Sequence, residues 1–399
     1  MVKTKDVLKP LFGPPTALYI HVPFCVRKCQ YCDFVSYSYN ESSARRYITG
    51  LRREMELLAG DKHEKRWHLS TVFIGGGTPT CLSTGMLLEI INLIDVYFIV
   101  SPETEFTVEA NPGTVDTVKL SALRRAGVNR LSLGAQACSR DILDTLGRIH
   151  THEQTLDAVR WAREAGFSNI NLDLIFGVPG QTLDQWYYCL EQVIILQPEH
   201  VSAYDLQLEE GTPLKERVDS GILVPCTEET SLAMYRAAID MLNAAGLGQY
   251  EISNFARPGR QCRHNLVYWH NQDYLGLGPA AHSRIGGKRM ANEAGLAEYI
   301  DKLETGRLPV AWTEDITPEN DIFETIFLGL RMTGGLDLEL FEQRFGVPID
   351  HIYPGLTESL VNKGMLEFQG KHLRLTAGGL AVANAVMSEF VPVLNILDK

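Results

Sequence analysis

One recurring phrase constrains the fold of this chain more than any other feature. A helix-like run is followed by Ala-Gly-apolar and then by a strand-like run, in RRAGVNRLSLGAQ, REAGFSNINLDLIFG and NAAGLGQYEIS. Gly127, Gly166 and Gly246 each suit the left-handed residue that closes a helix. Gly127 and Gly166 lie 39 residues apart, and Gly166 and Gly246 lie 80 apart, about twice as far. One strand–helix–strand unit takes roughly 30 residues or more. The spacing therefore predicts repeated βα units.

Strands are expected at 17–22, 71–76, 105–110, 129–134, 169–175 and 200–206. Helices are expected between them, near 43–59, 83–98, 114–126, 139–146, 152–165, 182–196 and 228–245. Thr182 and Gln185 have the spacing of a capping box. Alternating strands and helices imply an α/β fold with a parallel sheet, either open and doubly wound or a complete or partial barrel. Side chains on a strand alternate between faces. Tyr19 and His21 then share a face, as do Asn171 and Asp173, and Ser132 and Gln136 if their strand stays extended. Glu109 falls near the end of its own strand. These polar groups gather at C-terminal strand ends, where parallel α/β folds place their chemistry.

With 399 residues, 45% of them hydrophobic, the chain can bury one large domain and a smaller one. From 247 the periodicity loosens into a segment rich in Gly, Asn, His and aromatics. After 315 the order helix, helix, helix, hairpin suggests a small winged-helix-like α+β domain. The expected division is 1–246, 247–314 and 315–399. A formal net charge of −12 makes a nucleic-acid partner unexpected. The opening MVKTKDVLKPLFGPP lacks the apolar core of a secretory signal. The apolar run MLLEIINLIDVYFIV is interrupted by Glu89, Asn92 and Asp95, so it reads as a buried helix rather than a membrane span. A soluble, cytoplasmic protein is expected. Cys81, Cys138, Cys189, Cys226 and Cys262 are scattered, and most are expected to be small core residues.

Three cysteines are clustered. HVPFCVRKCQYCDF places Cys25, Cys29 and Cys32 in the spacing C-x3-C-x2-C, just after the first strand. A structural zinc site takes four ligands and would have to recruit another, such as His21. A redox pair of Cys29 and Cys32 leaves Cys25 unexplained. Buried structural thiols fit poorly with the polar neighbours Arg27, Lys28 and Gln30. The remaining reading is an iron–sulfur cluster. Four-iron clusters normally take four thiolates, so three leave one iron open to a small chelating ligand.

On these cysteines, on Tyr31 before the third of them, and on IGGGTPT after the second strand, the sequence resembles the radical S-adenosylmethionine (SAM) superfamily. That resemblance implies a partial (β/α)6 barrel, a [4Fe–4S] cluster on Cys25, Cys29 and Cys32, and SAM on the open iron. LYIHVPFC, GGGTPT, VEANPG, RLSLGAQ, LGRIH and NLDLIFGVPGQT resemble its coproporphyrinogen-dehydrogenase-like branch, in that order. Carried over by position, the residues implied to contact SAM are Tyr19, Gly76, Gly77, Thr78, Glu109, Gln136, Arg148 and Asp173. Carboxylates suit the ribose hydroxyls and the sulfonium, and arginine suits the SAM carboxylate.

The oxygen-independent decarboxylase of that branch carries a further cysteine two positions after the third. Here Asp33 and Phe34 follow Cys32. Only 18 residues precede Tyr19, where the decarboxylase has a longer arm. Both differences make coproporphyrinogen decarboxylation unexpected. RHNLVYW instead resembles the H-N-x-x-Y-W motif of HemW-type heme chaperones. That likeness implies heme as a ligand, with His264 as axial ligand and His282 or His270 as substitutes. In an extended stretch Tyr268 and Trp269 would face opposite ways, so only one need touch heme. No C-x-x-C-H attachment sequence occurs, which leaves Cys262 as a candidate for a thioether. The implied partners are heme, a heme-acceptor protein (free or membrane-associated) and an electron donor for the cluster. Radical decarboxylation of a porphyrinogen and radical degradation of heme are the enzymatic alternatives.

Overall fold

The computed structural model describes residues 15–59 and 66–391. Six parallel strands follow one another in space as they do in sequence. They are β1 (Ala17–Val22), β2 (Trp67–Gly76), β3 (Phe98–Ala110), β4 (Arg130–Gln136), β5 (Ile170–Phe176) and β6 (His200–Asp205). Between them run α1 (Glu41–Ala59), α2 (Thr84–Tyr97), α3 (Thr117–Arg125), α4 (Arg140–Leu146), α5 (His152–Glu164) and α6 (Leu183–Ile195). After β6 come α7 (Pro213–Asp219) and α8 (Glu228–Ala244). These are the βα units that the repeated phrase predicts, arranged as the partial barrel with flanking helices that the family resemblance implies. Gly127, Gly166 and Gly246 follow α3, α5 and α8 with φ of 100°, 88° and 79°. The capping box at Thr182 and Gln185 is present.

Two strands are longer than their sequence pattern. The run expected as one helix to residue 98 ends at Tyr97 and passes straight into β3 at Phe98. β3 starts early because Phe98, Ile99 and Val100 pair with Trp67, His68 and Leu69 of β2. Among the described residues, no helix is long and apolar enough to cross a membrane.

The segment after 247 is built from short elements. β7 (Gly248–Gln249) and β8 (Asn254–Ala256) extend the sheet beyond β6, with β8 antiparallel to it. α9 (Arg263–Trp269) follows, and then β9 (Leu275–Leu277) pairs in parallel with β1. The segment thus covers both open edges of the six strands, which would otherwise expose unpaired backbone. β10 (His282–Ile285), β11 (Lys288–Asn292) and β12 (Val310–Asp315) form a separate antiparallel sheet, with α10 (Leu296–Glu304) packed on α1. Phe255, Leu277, Met290 and Tyr299 belong to the same core as the barrel.

Buried Glu54 of α1 ties this segment down. Its carboxylate accepts from Tyr299 Oη (2.6 Å), Asn292 Nδ2 (2.6 Å) and the backbone N–H of Gly278 (2.9 Å). A second core, around Ile326, Phe341, Leu360 and Leu373, belongs to a small α+β domain. It comprises α11 (Pro318–Arg331), β13 (Leu336–Asp337), α12 (Leu338–Phe345), α13 (Ile349–Ile352), α14 (Leu356–Asn362), a hairpin of β14 (Leu366–Gln369) and β15 (His372–Leu375), and the short helices α15 (Ala377–Ala381) and α16 (Ala383–Ser388).

Candidate functional site

The loop after β1 carries the three cysteines, and the ends of β2 to β6 face it across a cavity of ≈ 490 Å³. Cys25, Cys29 and Cys32 line this cavity together with Gly76, Gly77, Thr78, Glu109, Gln136, Arg148 and Asp173. Seven of the eight residues expected around SAM therefore meet the three thiols in one space. Tyr19 stays outside the lining. Its hydroxyl lies 3.2 Å from His21 Nδ1, and the ring packs among Phe73 and His264 inside the barrel.

The three glycines are forced by close packing. A Cβ at Gly75 would lie 2.8 Å from Glu109 Oε2, one at Gly76 2.6 Å from the His21 ring, and one at Gly77 2.5 Å from the Phe24 carbonyl oxygen. Gly76 also has φ of 106°, a left-handed conformation that disfavours a side chain. This packing brings the backbone N–H of Gly76 to Glu109 Oε2 at 3.1 Å, and Thr78 Oγ1 to Cys25 Sγ at 3.6 Å. Arg148 spans the far side. It donates through Nη1 to Cys29 Sγ (3.4 Å) and through Nη2 to the Gly134 carbonyl (2.8 Å).

Ser132 and Gln136 both line the cavity, although their strand does not stay extended. The register slips between Gly134 and Gln136, and Gln136 takes a φ of 64°. The bulge re-aims its side chain. Asp173 is held from two sides, by Ser132 Oγ and Asn171 Nδ2, each at 2.8 Å. Asn171 Oδ1 in turn lies 2.6 Å from His200 Nδ1, and His200 Nε2 lies 2.8 Å from the Tyr250 hydroxyl. Asn111 and Tyr204 also line the cavity and were not foreseen. Their signal was weak but present: each stands at or just past the C-terminal end of its strand.

Burial sets the proton affinities. Desolvation, and next the charge of Asp173, push Glu109 up to about 8. Desolvation also raises the thiols of Cys25 and Cys32, the latter to about 11. Thiols in this state become thiolates when a metal supplies the compensating charge.

The residues fit a cluster with a bound ligand. Asn111 Oδ1, Gln136 Oε1 and Arg148 Nε are buried without a hydrogen-bond partner. Buried polar atoms are normally paired, so these call for a polar ligand. Among the described residues, no three His, Cys, Asp or Glu side chains converge as a single metal ion requires. An iron–sulfur cluster spreads its thiolates over several irons. The zinc alternative loses its fourth ligand, because His21 already faces Tyr19 through Nδ1 and the Val35 carbonyl through Nε2 (2.8 Å).

The H-N-x-x-Y-W stretch lies apart from this cavity and is helical. In α9, His264 and Tyr268 share one face, and His264 Nε2 lies 2.9 Å from the Tyr268 hydroxyl. His264 Nδ1 lies 2.9 Å from Thr71 Oγ1. The ring is 1% exposed, and its pKa is lowered to about 3 by burial and then by Arg130. Both nitrogens are taken, so the fold as it stands gives heme iron no open lone pair at His264. Ligation of heme at His264 would require α9 to release Thr71 or Tyr268. Trp269 does not stand free either, since the Arg331 guanidinium lies 4.5 Å over its ring. Cys262 is fully buried, with its thiol raised to about 12 by desolvation and its Sγ donating to Glu105 Oε1 at 3.6 Å. This protonated, enclosed thiol is not set for a thioether. His270 and His282 are exposed, and His282 lies beside Trp312.

Comparison with known proteins agrees with the geometry. The radical SAM superfamily matches residues 19–193, and the HemN C-terminal domain matches residues 316–382. The heme chaperone HemW of Bacillus subtilis is 38% identical over 94% of this chain and 98% of its own. HemW of Escherichia coli is 37% identical over 68% of this chain and 71% of its own. The coproporphyrinogen III oxidase HemN of Escherichia coli shares the fold, with a TM-score of 0.82 over 95% of this chain and 91% of its own, at 24% identity. Relatives from Mycobacterium tuberculosis and Lactococcus lactis, at 35% and 33% identity, also bear the name heme chaperone HemW. The cysteine loop, the strand-end groups facing it and the sequence likeness over nearly the whole length lead to one conclusion: the chain belongs to the HemW family of the radical SAM superfamily.

Proposed function

We propose that this chain binds heme and passes it to an acceptor protein, on a barrel that carries a [4Fe–4S] cluster and SAM. The observation that carries this reading is the convergence of three thiols and seven expected SAM contacts on one cavity, in a chain so similar to heme chaperones. Cys25, Cys29 and Cys32 would hold the cluster. Gly76, Gly77, Thr78, Glu109, Gln136, Arg148 and Asp173 would hold SAM, and Tyr19 would support them from below through His21. When bound, the cluster would supply an iron that a small ligand can chelate, and electrons when an external donor reduces it.

The chain's own residues prepare that site. Gly76 and Gly77 bring backbone close to Cys25. Arg148 sets a positive charge against Cys29 and leaves Nε free for a carboxylate. Buried Glu109 can give up its proton to accept a cation. For heme, His270 and His282 offer exposed imidazoles. His264 would offer one only if α9 unlatched from Thr71 and Tyr268.

The test is heme transfer to apomyoglobin, followed by absorbance under anaerobic conditions. The hemin-loaded, cluster-reconstituted chain is compared with a chain carrying Cys25→Ser, Cys29→Ser and Cys32→Ser. The proposal expects complete transfer from the cluster-loaded chain and a changed rate without the cluster. If neither form delivers heme, while turnover of a porphyrin or porphyrinogen substrate is detected, the chain is an enzyme instead.

A further inference from the structure

Two cysteines expected to be unconnected core residues meet in space. Cys138 lies on the turn after β4, and Cys189 lies on the buried face of α6. Their sulfurs are 2.9 Å apart, closer than unbonded sulfurs rest. His152, the first residue of α5, sits beside them, with both ring nitrogens buried and no conventional hydrogen-bond partner. Two thiols and an imidazole from three separate elements thus form one cluster, outside the cofactor cavity.

We propose that Cys138 and Cys189 are a thiol–disulfide site, closed by a low-molecular-weight disulfide such as oxidised glutathione. Only a small movement separates the sulfurs from bonding distance. The Cys138 thiolate attacks one sulfur of the oxidant and releases one thiolate. The Cys189 sulfur then attacks Cys138 in the mixed disulfide and releases the second. Two electrons pass to the oxidant, and the two cysteine protons leave with its two thiols. The two cysteines differ as attacking and resolving thiols should. The hydrogen bond from Cys189, with His152 adding to it, holds the Cys138 thiol down, to about 6. Cys189 is pushed well up by its hydrogen bond with Cys138 and by burial. Cys138 is also the more exposed of the two. A thiolate on the accessible side and a protonated partner behind it suit this order of attack.

The site has a structural reach. Cys138 follows Gln136 by two residues and leads into α4, and Arg148 lies two residues past the end of that helix. Both of those residues line the cofactor cavity. A bond to α6 would tie down the turn between them.

The test treats the full, cluster-reconstituted chain with oxidised glutathione under argon. It is then unfolded in acid, alkylated with N-ethylmaleimide and digested without reductant for mass spectrometry. The chain with Cys25→Ser, Cys29→Ser and Cys32→Ser is treated in parallel, so that cluster thiols cannot confuse the count. The expected result in both is a linked peptide pair containing Cys138 and Cys189, lighter by two hydrogens, with their alkylation falling several-fold. With Cys189→Ser, Cys138 is expected to carry glutathione instead. Alkylation of Cys138 and Cys189 that is unchanged by the oxidant would overturn the proposal.

Discussion

Glu109 Oε2 accepts the backbone N–H of Gly76 at 3.1 Å, so an acidic group from β3 braces the glycine loop that ends β2. The same carboxyl is buried and raised to about 8 by desolvation and by Asp173. Without bound SAM it is mostly protonated at pH 7, and a bound sulfonium cation favours the ionised form. SAM affinity should therefore rise with pH up to about 8 and then level. Below that pKa the dependence approaches about tenfold per pH unit. Other groups also titrate in this range, so the ratio of the parent to Glu109→Gln isolates the effect. Calorimetry on the reconstituted chain should show that ratio growing between pH 6.5 and 8.5. A constant ratio would remove Glu109 from the SAM site.

Gly77 has no room for a side chain. An added Cβ would meet the Phe24 carbonyl at 2.5 Å, next to Cys25. Gly77→Ala should cost about 1–3 kcal/mol of stability, as overpacking does. It should also lower the iron retained per chain after reconstitution. Urea unfolding and iron analysis check the two effects. A variant that loads iron like the parent would show that the loop moves freely.

Glu54 makes stability depend on pH. Burial raises its carboxyl to about 7, against an ordinary value near 4.5. A carboxyl with a raised folded-state pKa contributes its stability in full below the unfolded value. It loses that contribution as pH rises through the folded value. Between about pH 4.5 and 7 the loss should reach about 3 kcal/mol, at about 1.4 kcal/mol per pH unit. Glu54→Gln should flatten this part of the curve. Melting curves of the two chains at several pH values check it, and parallel curves would contradict it.

His264 is latched between Thr71 and Tyr268, so its removal should show first as lost stability. His264→Ala leaves Thr71 and Tyr268 without partners and opens a cavity, at a cost of about 2–4 kcal/mol. Tyr268→Phe keeps the packing and should cost about 1–2 kcal/mol. Urea titrations measure both. A His264→Ala chain as stable as the parent would mean that α9 is already loose.

Much of the fold is legible in the sequence because it is written locally. The alternation in NINLDLI and the glycines after α3, α5 and α8 fix strands and helices within a few residues. The cysteine spacing and IGGGTPT mark the site through residues close together in the chain. The features that stay hidden depend on distant partners. α9 has no local N-cap, since Cys262 makes no capping bond with its side chain. Its first amides are instead met by Glu105 of β3, at 3.0 Å from the N–H groups of both Arg263 and His264. No pattern within RHNLVYW reports a carboxylate so far away. The three-residue strands at 254–256 and 275–277 carry too few residues for a period of two to show. The bulge at Gln136 arises from register with β5, and the meeting of Cys138 with Cys189 needs α6 packed against the turn after β4.

The central claim is that this chain carries heme, and an anaerobic hemin titration of the cluster-reconstituted protein, followed by absorbance, tests it most directly. The parent should show a saturable Soret change. Replacing both His270 and His282 with Ala should weaken or shift that change if heme binds the fold as it stands. His264→Ala should do so if α9 opens to bind. A hemin response that rises without saturation in the parent, like that of a protein with no heme site, would contradict the account.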